Sequence, residues 1–154
     1  MTKTEANEEK VLITNRKAQH DYFIIETYEA GIVLKGTEVK SLRAGNANLQ
    51  DSFAVIKNGE VWLENMHISH YPQASYNNHE PKRDRKLLLH KKEIRRLKNK
   101  LEEKGTTLVP LRVYLKKQKI KIELALARGK KSFDKREAIA KRETEREIKR
   151  KYAL

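Results

Sequence analysis

The chain has 154 residues, which suits a single domain, and its 35 Lys and Arg against 21 Asp and Glu give a net charge of +14. This balance predicts attraction to a polyanion. The absence of cysteine excludes disulfides, thiolate zinc sites and a cysteine nucleophile. No apolar run is long enough for a membrane span or a signal peptide, so we expect a soluble cytoplasmic protein with no membrane partner.

The charge is segregated along the chain. Residues 1–80 carry 8 basic and 11 acidic side chains, residues 81–104 carry 11 and 4, and residues 105–154 carry 16 and 6. The net charges of −3, +7 and +10 sum to +14. An evenly basic surface would explain the total but not this segregation, which favours a binding face or tail in the second half.

The first half predicts strands around one short helix. Residues 1–10 have no periodicity and are expected to form a disordered arm. Strand-like residues follow from position 21, with Gly31 at a bulge or bend. A helix is predicted to begin near Thr37 and to be stopped by Gly45. Asn58-Gly59 joins two strand patterns and predicts a type I′ hairpin.

The second half predicts a basic helix and a second hairpin. After a polar loop at 71–81, an apolar stripe and a terminal glycine predict a helix. Strands at 106–115 and 119–126 form the hairpin, because apolar residues alternate along the second of them. The stripe consists of Leu87, Ile94, Leu97 and Leu101, and the terminal glycine is Gly105.

The last segment, residues 129–154, has 10 basic and 5 acidic residues and no apolar stripe. Packing would not hold a helix here, so we expect a tail that is disordered alone and helical on a polyanionic surface. The predicted organisation is an arm at 1–10, a domain at 11–128 and a tail at 129–154.

The sequence shows no catalytic pattern. Gly31 and Gly36-Thr37 lack the lysine of a phosphate loop, and His67 and His70 have no third ligand in a matching motif. Glu26 and Glu29 could pair as acid and base, but no cleft is evident. We therefore expect no catalytic residues, metal or cofactor, and a chain that is not an enzyme.

Binding remains as the expected activity. Short strands in two hairpins with interposed helices predict a mainly β fold with flanking helices, a small closed barrel like an OB-fold. Basic clusters can neutralise phosphates, and exposed rings can stack on bases. Core positions are predicted for Tyr22, Phe23, Phe53 and Trp62, and stacking positions for Tyr71, Tyr76 and Phe133.

Several motifs in order resemble one family, the SsrA-binding proteins (SmpB). They are NRKA at 15–18, HDY at 20–22, YEAGIVL at 28–34, GTEVKSLR at 36–43, RKLLL at 85–89, and GKK and DKR within 129–136. The resemblance covers nearly the whole chain after the arm. It implies an OB-fold-like barrel with flanking helices and a basic tail that acts in bacterial trans-translation. In that process the stalled ribosome is released and the nascent chain is tagged for degradation.

The resemblance also implies partners and sites. The barrel would bind the tRNA-like domain of transfer-messenger RNA. The tail would occupy the empty mRNA channel and the decoding site of stalled ribosomes, where it meets small-subunit ribosomal RNA. Elongation factor Tu would join the delivery complex. The expected RNA-binding residues of the barrel are Asn15, Glu29, Lys40, Arg43, Arg83, Arg85, Lys86 and Leu89. The expected ribosome-engaging residues of the tail are Lys130, Lys131, Phe133, Asp134, Lys135 and Arg136.

Two other classes share part of this pattern. A structural ribosomal protein or general single-strand-binding barrel shares the fold and charge, but does not need the ordered motif around Phe133. An RNA-processing enzyme would need convergent carboxylates or histidines. Cleavage of labelled RNA in the presence of magnesium would support an RNA-processing enzyme.

Overall fold

The computed structural model describes residues 9–74, 77–130 and 142–149. The elements are β1 Glu9–Thr14, α1 Arg16–Asp21, β2 Tyr22–Ile32, α2 Gly36–Arg43, β3 Ala47–Asn48, β4 Phe53–Lys57, β5 Glu60–Glu64, β6 His67–Ile68, β7 Arg85–Leu88, α3 Lys91–Lys100, β8 Thr106–Lys116 and β9 Lys119–Gly129. Six antiparallel strands close into a barrel in the order β8-β4-β5-β7-β2-β9, because β9 pairs back onto β8. Strand β1 pairs with the outer end of β8. A mainly β fold with flanking helices is thereby confirmed.

Both predicted hairpins are present. Lys57 pairs with Glu60 across Asn58-Gly59, whose φ angles of 53° and 74° are those a type I′ turn needs. Residues 117 and 118 form the second turn, also with positive φ, between Lys116 and Lys119. The strands of this hairpin are each 11 residues long, and they form the longest ladder of the barrel.

The barrel interior holds the main core, which includes Leu42, Leu63, Leu108, Ile122 and Leu124. Along β9 the alternation gives way to burial on both faces from position 124 to 127. The reason is α1, a helix the sequence analysis did not predict. Its Ala18 packs on the outer face of the sheet in a second cluster.

Three boundaries differ from the predictions. Strand β1 starts at Glu9, inside the predicted arm, because it pairs with β8. The bulge in β2 lies between Ile24 and Glu26, while Gly31 continues the strand. Leu87 belongs to β7 rather than to the helix, which starts at Lys91. Leu87 lies seven residues before Ile94, a spacing that fits a helical stripe only by coincidence.

The predicted core positions of two aromatic residues, Phe23 and Phe53, are wrong. Phe23 is 47% and Phe53 is 38% exposed, whereas Tyr22 and Trp62 are half-buried. Residues 22–25 form a continuous apolar run, and the bulge after it removes the strict alternation that would have identified the outward face. Phe23 and Phe53 therefore lie on the barrel surface.

At the end of the barrel, β9 runs to Gly129 and the Lys130 N–H donates to the Asp21 carbonyl at 2.8 Å. Residues 142–149 form a helix whose side chains are all exposed. Within the described ranges, no helix has the length and apolar character needed to cross a membrane.

Candidate nucleic-acid interface

Glu29 lies in the middle of β2, opposite Glu123 of β9. One oxygen of its carboxylate accepts hydrogen bonds from the Tyr114 hydroxyl at 2.9 Å and from Lys116 Nζ at 3.0 Å. Burial raises the pKa of Glu29, but the bonds from Lys116 and Tyr114 together outweigh it and lower the pKa below its ordinary value. The carboxylate is thus held ionised and oriented at neutral pH.

Glu29 lines an open concavity of about 430 Å³ between β2, β7 and the start of α3. Leu88, 51% exposed, projects into the same space. A side chain at Gly31 would place its Cβ 3.3 Å from Leu88 Cβ, so the glycine allows β7 to approach. The residues that define this Glu29 concavity are Glu29, Gly31, Leu88, Leu89, His90, Glu93 and Lys121.

The sequence analysis named Glu29 and Leu89, which the structure brings together here, but it missed Leu88. Residues 85–88 alternate between the interior and the exterior, with Arg85 and Leu87 buried and Leu88 exposed. Two-residue periodicity could have identified this outward leucine if the segment had been read as a strand rather than a helix.

A buried ionic cluster orders the loop before β7. Glu38 of α2 is completely buried and accepts from Arg85 Nε at 2.5 Å and from Arg83 Nη2 at 2.6 Å. Arg85 also donates to the carbonyls of Met66 at 2.7 Å and Pro81 at 3.0 Å. Burial raises the pKa of Glu38, but the hydrogen bonds from Arg83, the Lys35 amide and Arg85 together lower it.

The expected contact between Arg85 and RNA does not fit this geometry. Its side chain is completely buried, so its guanidinium cannot reach a phosphate while this fold is intact. Arg85 is a positioning residue that ties α2 to the backbone at Met66 and Pro81. Arg83, with 27% of its side chain exposed, still reaches the surface.

Asn15 is also placed differently from the expectation. It is 6% exposed and caps α1, since its Oδ1 accepts from the Ala18 amide at 3.2 Å. Its Nδ2 donates to the Pro110 carbonyl at 2.9 Å and to the Leu49 carbonyl at 3.3 Å. The side chain therefore joins α1 to the barrel and has little surface for a ligand.

The remaining barrel cations are accessible. Lys40 and Arg43 are exposed on α2, and Lys40 Nζ lies 5.2 Å from the centroid of the Tyr71 ring. Lys86 is on the outer face of β7, 3.5 Å from Glu60. Long cations beside an aromatic ring can bind phosphate while the ring supports the stem.

In the tail, Lys130 lies within the described residues and its Nζ is 4.9 Å from the Phe23 ring centroid. The expected positions Lys131, Phe133, Asp134, Lys135 and Arg136, and the stacking candidate Tyr76, lie outside the described residues. In the part of the chain that is described, no three His, Asp or Glu side chains group as metal ligands.

A closed barrel with an open polar concavity, exposed cations and a strongly basic second half defines the class as a small barrel protein suited to nucleic acid. The SmpB protein family model matches residues 12–153. The chain belongs to the SmpB family.

Relatives and a solved structure agree with this assignment. SsrA-binding protein of Desulforudis audaxviator is 69% identical over 142 residues, which are 92% of this chain and 93% of the relative. That of Caldicellulosiruptor saccharolyticus is 63% identical over 97% of this chain and 94% of its own length. A chain from the structure described as "tmRNA-SmpB: a journey to the center of the bacterial ribosome" is 56% identical with a TM-score of 0.68, and the match covers 82% of this chain and 93% of that chain.

Proposed function

We propose that the chain is an RNA-binding factor of trans-translation. It binds the tRNA-like domain of transfer-messenger RNA and acts on stalled ribosomes in the cytoplasm, by recognition and not by catalysis. The observation that carries the proposal is the Glu29 concavity, found on a chain whose family match spans residues 12–153. The names of the relatives and of the solved structure support the same partners.

The chemistry of the Glu29 concavity fits a nucleotide. The oriented carboxylate of Glu29 can accept hydrogen bonds from base amino groups or ribose hydroxyls. Leu88 supplies an apolar surface against a base or ribose, and Lys121 of the neighbouring strand β9, which pairs with Gly31, adds a cation to the same lining. A carboxylate flanked by cations selects a hydrogen-bond donor in RNA, whereas lysines alone would bind any phosphate.

Phosphate contacts come from the accessible cations. We assign this role to Lys40, Arg43, Arg83 and Lys86, which keep exposed surface on α2, β7 and the loop before β7. Asn15 and Arg85 act indirectly, by fixing α1 and α2. Leu89 supports the wall of the concavity beside Leu88.

The tail supplies the ribosome contact in this proposal. Lys130, Lys131, Phe133, Asp134, Lys135 and Arg136 engage the decoding site and the empty mRNA channel, where basic side chains meet ribosomal RNA phosphates. Elongation factor Tu completes the delivery complex. The exposed helix at residues 142–149 supports this division, because none of its side chains is buried on the barrel.

Binding of the isolated tRNA-like domain tests the proposal. Glu29→Gln removes the charge while keeping the shape, and Leu88→Ala removes the apolar contact; we expect each to raise the Kd about 10-fold, equivalent to about 1.4 kcal/mol. Glu103→Gln is the matched control for the loss of charge, since its side chain is 68% exposed and does not line the concavity. Equal affinities for all three folded variants would contradict the assignment.

A further inference from the structure

Helix α3 presents two flanks with different electrostatics. On one flank, Arg96 and Lys100 both pair with Glu26 of β2. The hydrogen bonds that Glu26 accepts from Lys100 and from the Tyr28 hydroxyl lower its pKa to about 2. On the other flank, Lys91, Arg95 and Lys98 are exposed and make no ion pair with any described residue. The cations of α3 are neutralised on the β2 side alone.

The flank without carboxylates borders a second concavity. It has a volume of about 320 Å³, and its lining combines three cations with two isoleucines and a glycine, without a carboxylate. We refer to it as the α3–β4 groove, defined by Ile56, Gly59, Lys91, Ile94, Arg95 and Lys98. Ile56 and Lys98 also line a further space of about 400 Å³ along β4, whose lining includes the acidic residue Glu102 and which is not part of this groove.

The fold explains why a groove forms here. Strand β4 pairs with β8 only through Ala54 and Leu108, so this is the shortest ladder in the closed barrel. Residues 55–57 of β4 have a strand partner only in β5, and α3 lies beside this seam. Ile56 and Ile94 are half-buried on its floor.

The cations are spaced along one line. Residues i, i+4 and i+7 of a helix lie on one face, so Lys91, Arg95 and Lys98 form a stripe about 10 Å long at 1.5 Å per residue. That length spans more than one phosphate of an extended nucleic-acid strand. The apolar floor beneath the stripe can contact ribose and base surfaces once the phosphates are held.

We infer that the α3–β4 groove binds the sugar-phosphate backbone of ribosomal RNA, at a site separate from the Glu29 concavity. The two spaces lie on opposite flanks of α3, since His90 and Glu93 line one and Lys91, Arg95 and Lys98 line the other. An RNA held at the first therefore leaves the second open to another RNA. The inference rests on the proposed function, because it takes the ribosome as the place of action.

The test compares two triple variants of the full chain. The groove variant carries Lys91→Gln, Arg95→Gln and Lys98→Gln. The control variant removes the same charge at exposed positions outside the groove, with Lys104→Gln, Lys117→Gln and Lys119→Gln. Affinity is measured for vacant ribosomes and for the free tRNA-like domain across a range of KCl concentrations.

We expect the groove variant to lose about 10-fold or more in ribosome affinity relative to the control variant. The slope of the logarithm of its ribosome-binding constant against the logarithm of the KCl concentration should fall in magnitude by about 2 to 3, because each lost phosphate contact contributes about 0.7–0.9. Its affinity for the tRNA-like domain should stay within about twofold of that of the control. Ribosome affinities equal to those of the control, or a parallel loss for the tRNA-like domain, would overturn the inference.

Cross-linking identifies the class of partner. Asn99→Cys provides the only thiol of the chain, on an exposed position next to Lys98, for attachment of an aryl azide. On ribosomes we expect cross-links to ribosomal RNA, whereas cross-links confined to an acidic ribosomal protein would overturn the assignment. A wild-type chain that fails to bind the tRNA-like domain overturns the proposed function, whereas equal ribosome affinities of the groove and control variants overturn this inference.

Discussion

Replacing Arg85 with methionine tests whether its buried ion pair supports the fold. The substitution keeps an unbranched apolar stem but removes the guanidinium and with it three hydrogen bonds, to Glu38, Met66 and Pro81. Breaking a buried pair by removing one partner costs about 3–5 kcal/mol, because the other charge remains buried. For a chain of this size that lowers the Tm by about 6–20 °C.

Urea unfolding followed by fluorescence of Trp62, the sole tryptophan, measures the effect. Arg83→Met is the matched control, with an expected loss of about 1 kcal/mol, since 27% of its side chain is solvated. The double variant Glu38→Gln/Arg85→Met should lose less than the sum of the single losses. An Arg85→Met protein with unchanged stability and reduced RNA affinity would refute the reasoning and place the guanidinium at the RNA.

Hydrogen bonds, chiefly from Lys100 and then from Tyr28, lower the pKa of Glu26 to about 2 from its ordinary value of 4.5. Because the pKa is depressed in the folded state, the ionised Glu26 stabilises the fold above pH 4.5, and this contribution is lost as the pH falls toward 2. Urea unfolding from pH 7 to pH 3 should therefore show a smaller loss in the free energy of unfolding for Glu26→Gln than for wild type. Equal losses would contradict the pairing. Truncation after Lys130 should leave the Tm and binding of the tRNA-like domain nearly unchanged while abolishing tagging in a reconstituted assay, and normal tagging would show that the tail is dispensable.

Local signals predicted the parts of the fold that neighbouring residues determine. Asn58-Gly59 specifies its turn through positive φ, and the alternation in β9 specifies the buried face at Ile122 and Leu124. Gly45, with φ of 77°, follows α2 as expected. Each of these features depends on residues within one turn or strand.

Features that depend on distant partners were missed. Arg85 looks like one more surface cation in a basic run, and its partner Glu38 is 47 residues away. Helix α1 has six residues and no apolar stripe, and its burial against β9 depends on the closed barrel. The Glu29 concavity likewise requires β2, β7 and α3 to be assembled, although the resemblance had already marked Glu29.

The central claim is that the tRNA-like domain of transfer-messenger RNA binds in the Glu29 concavity. Titration of the ¹⁵N-labelled chain with this RNA domain, followed by backbone amide chemical shifts, locates the contact directly. The account predicts the largest changes at Glu29, Leu88 and Lys121, with little change at Lys117 and Gln118 in the turn that ends the β8–β9 hairpin. Largest changes at that turn, with the amides of the Glu29 concavity unaffected, would contradict it.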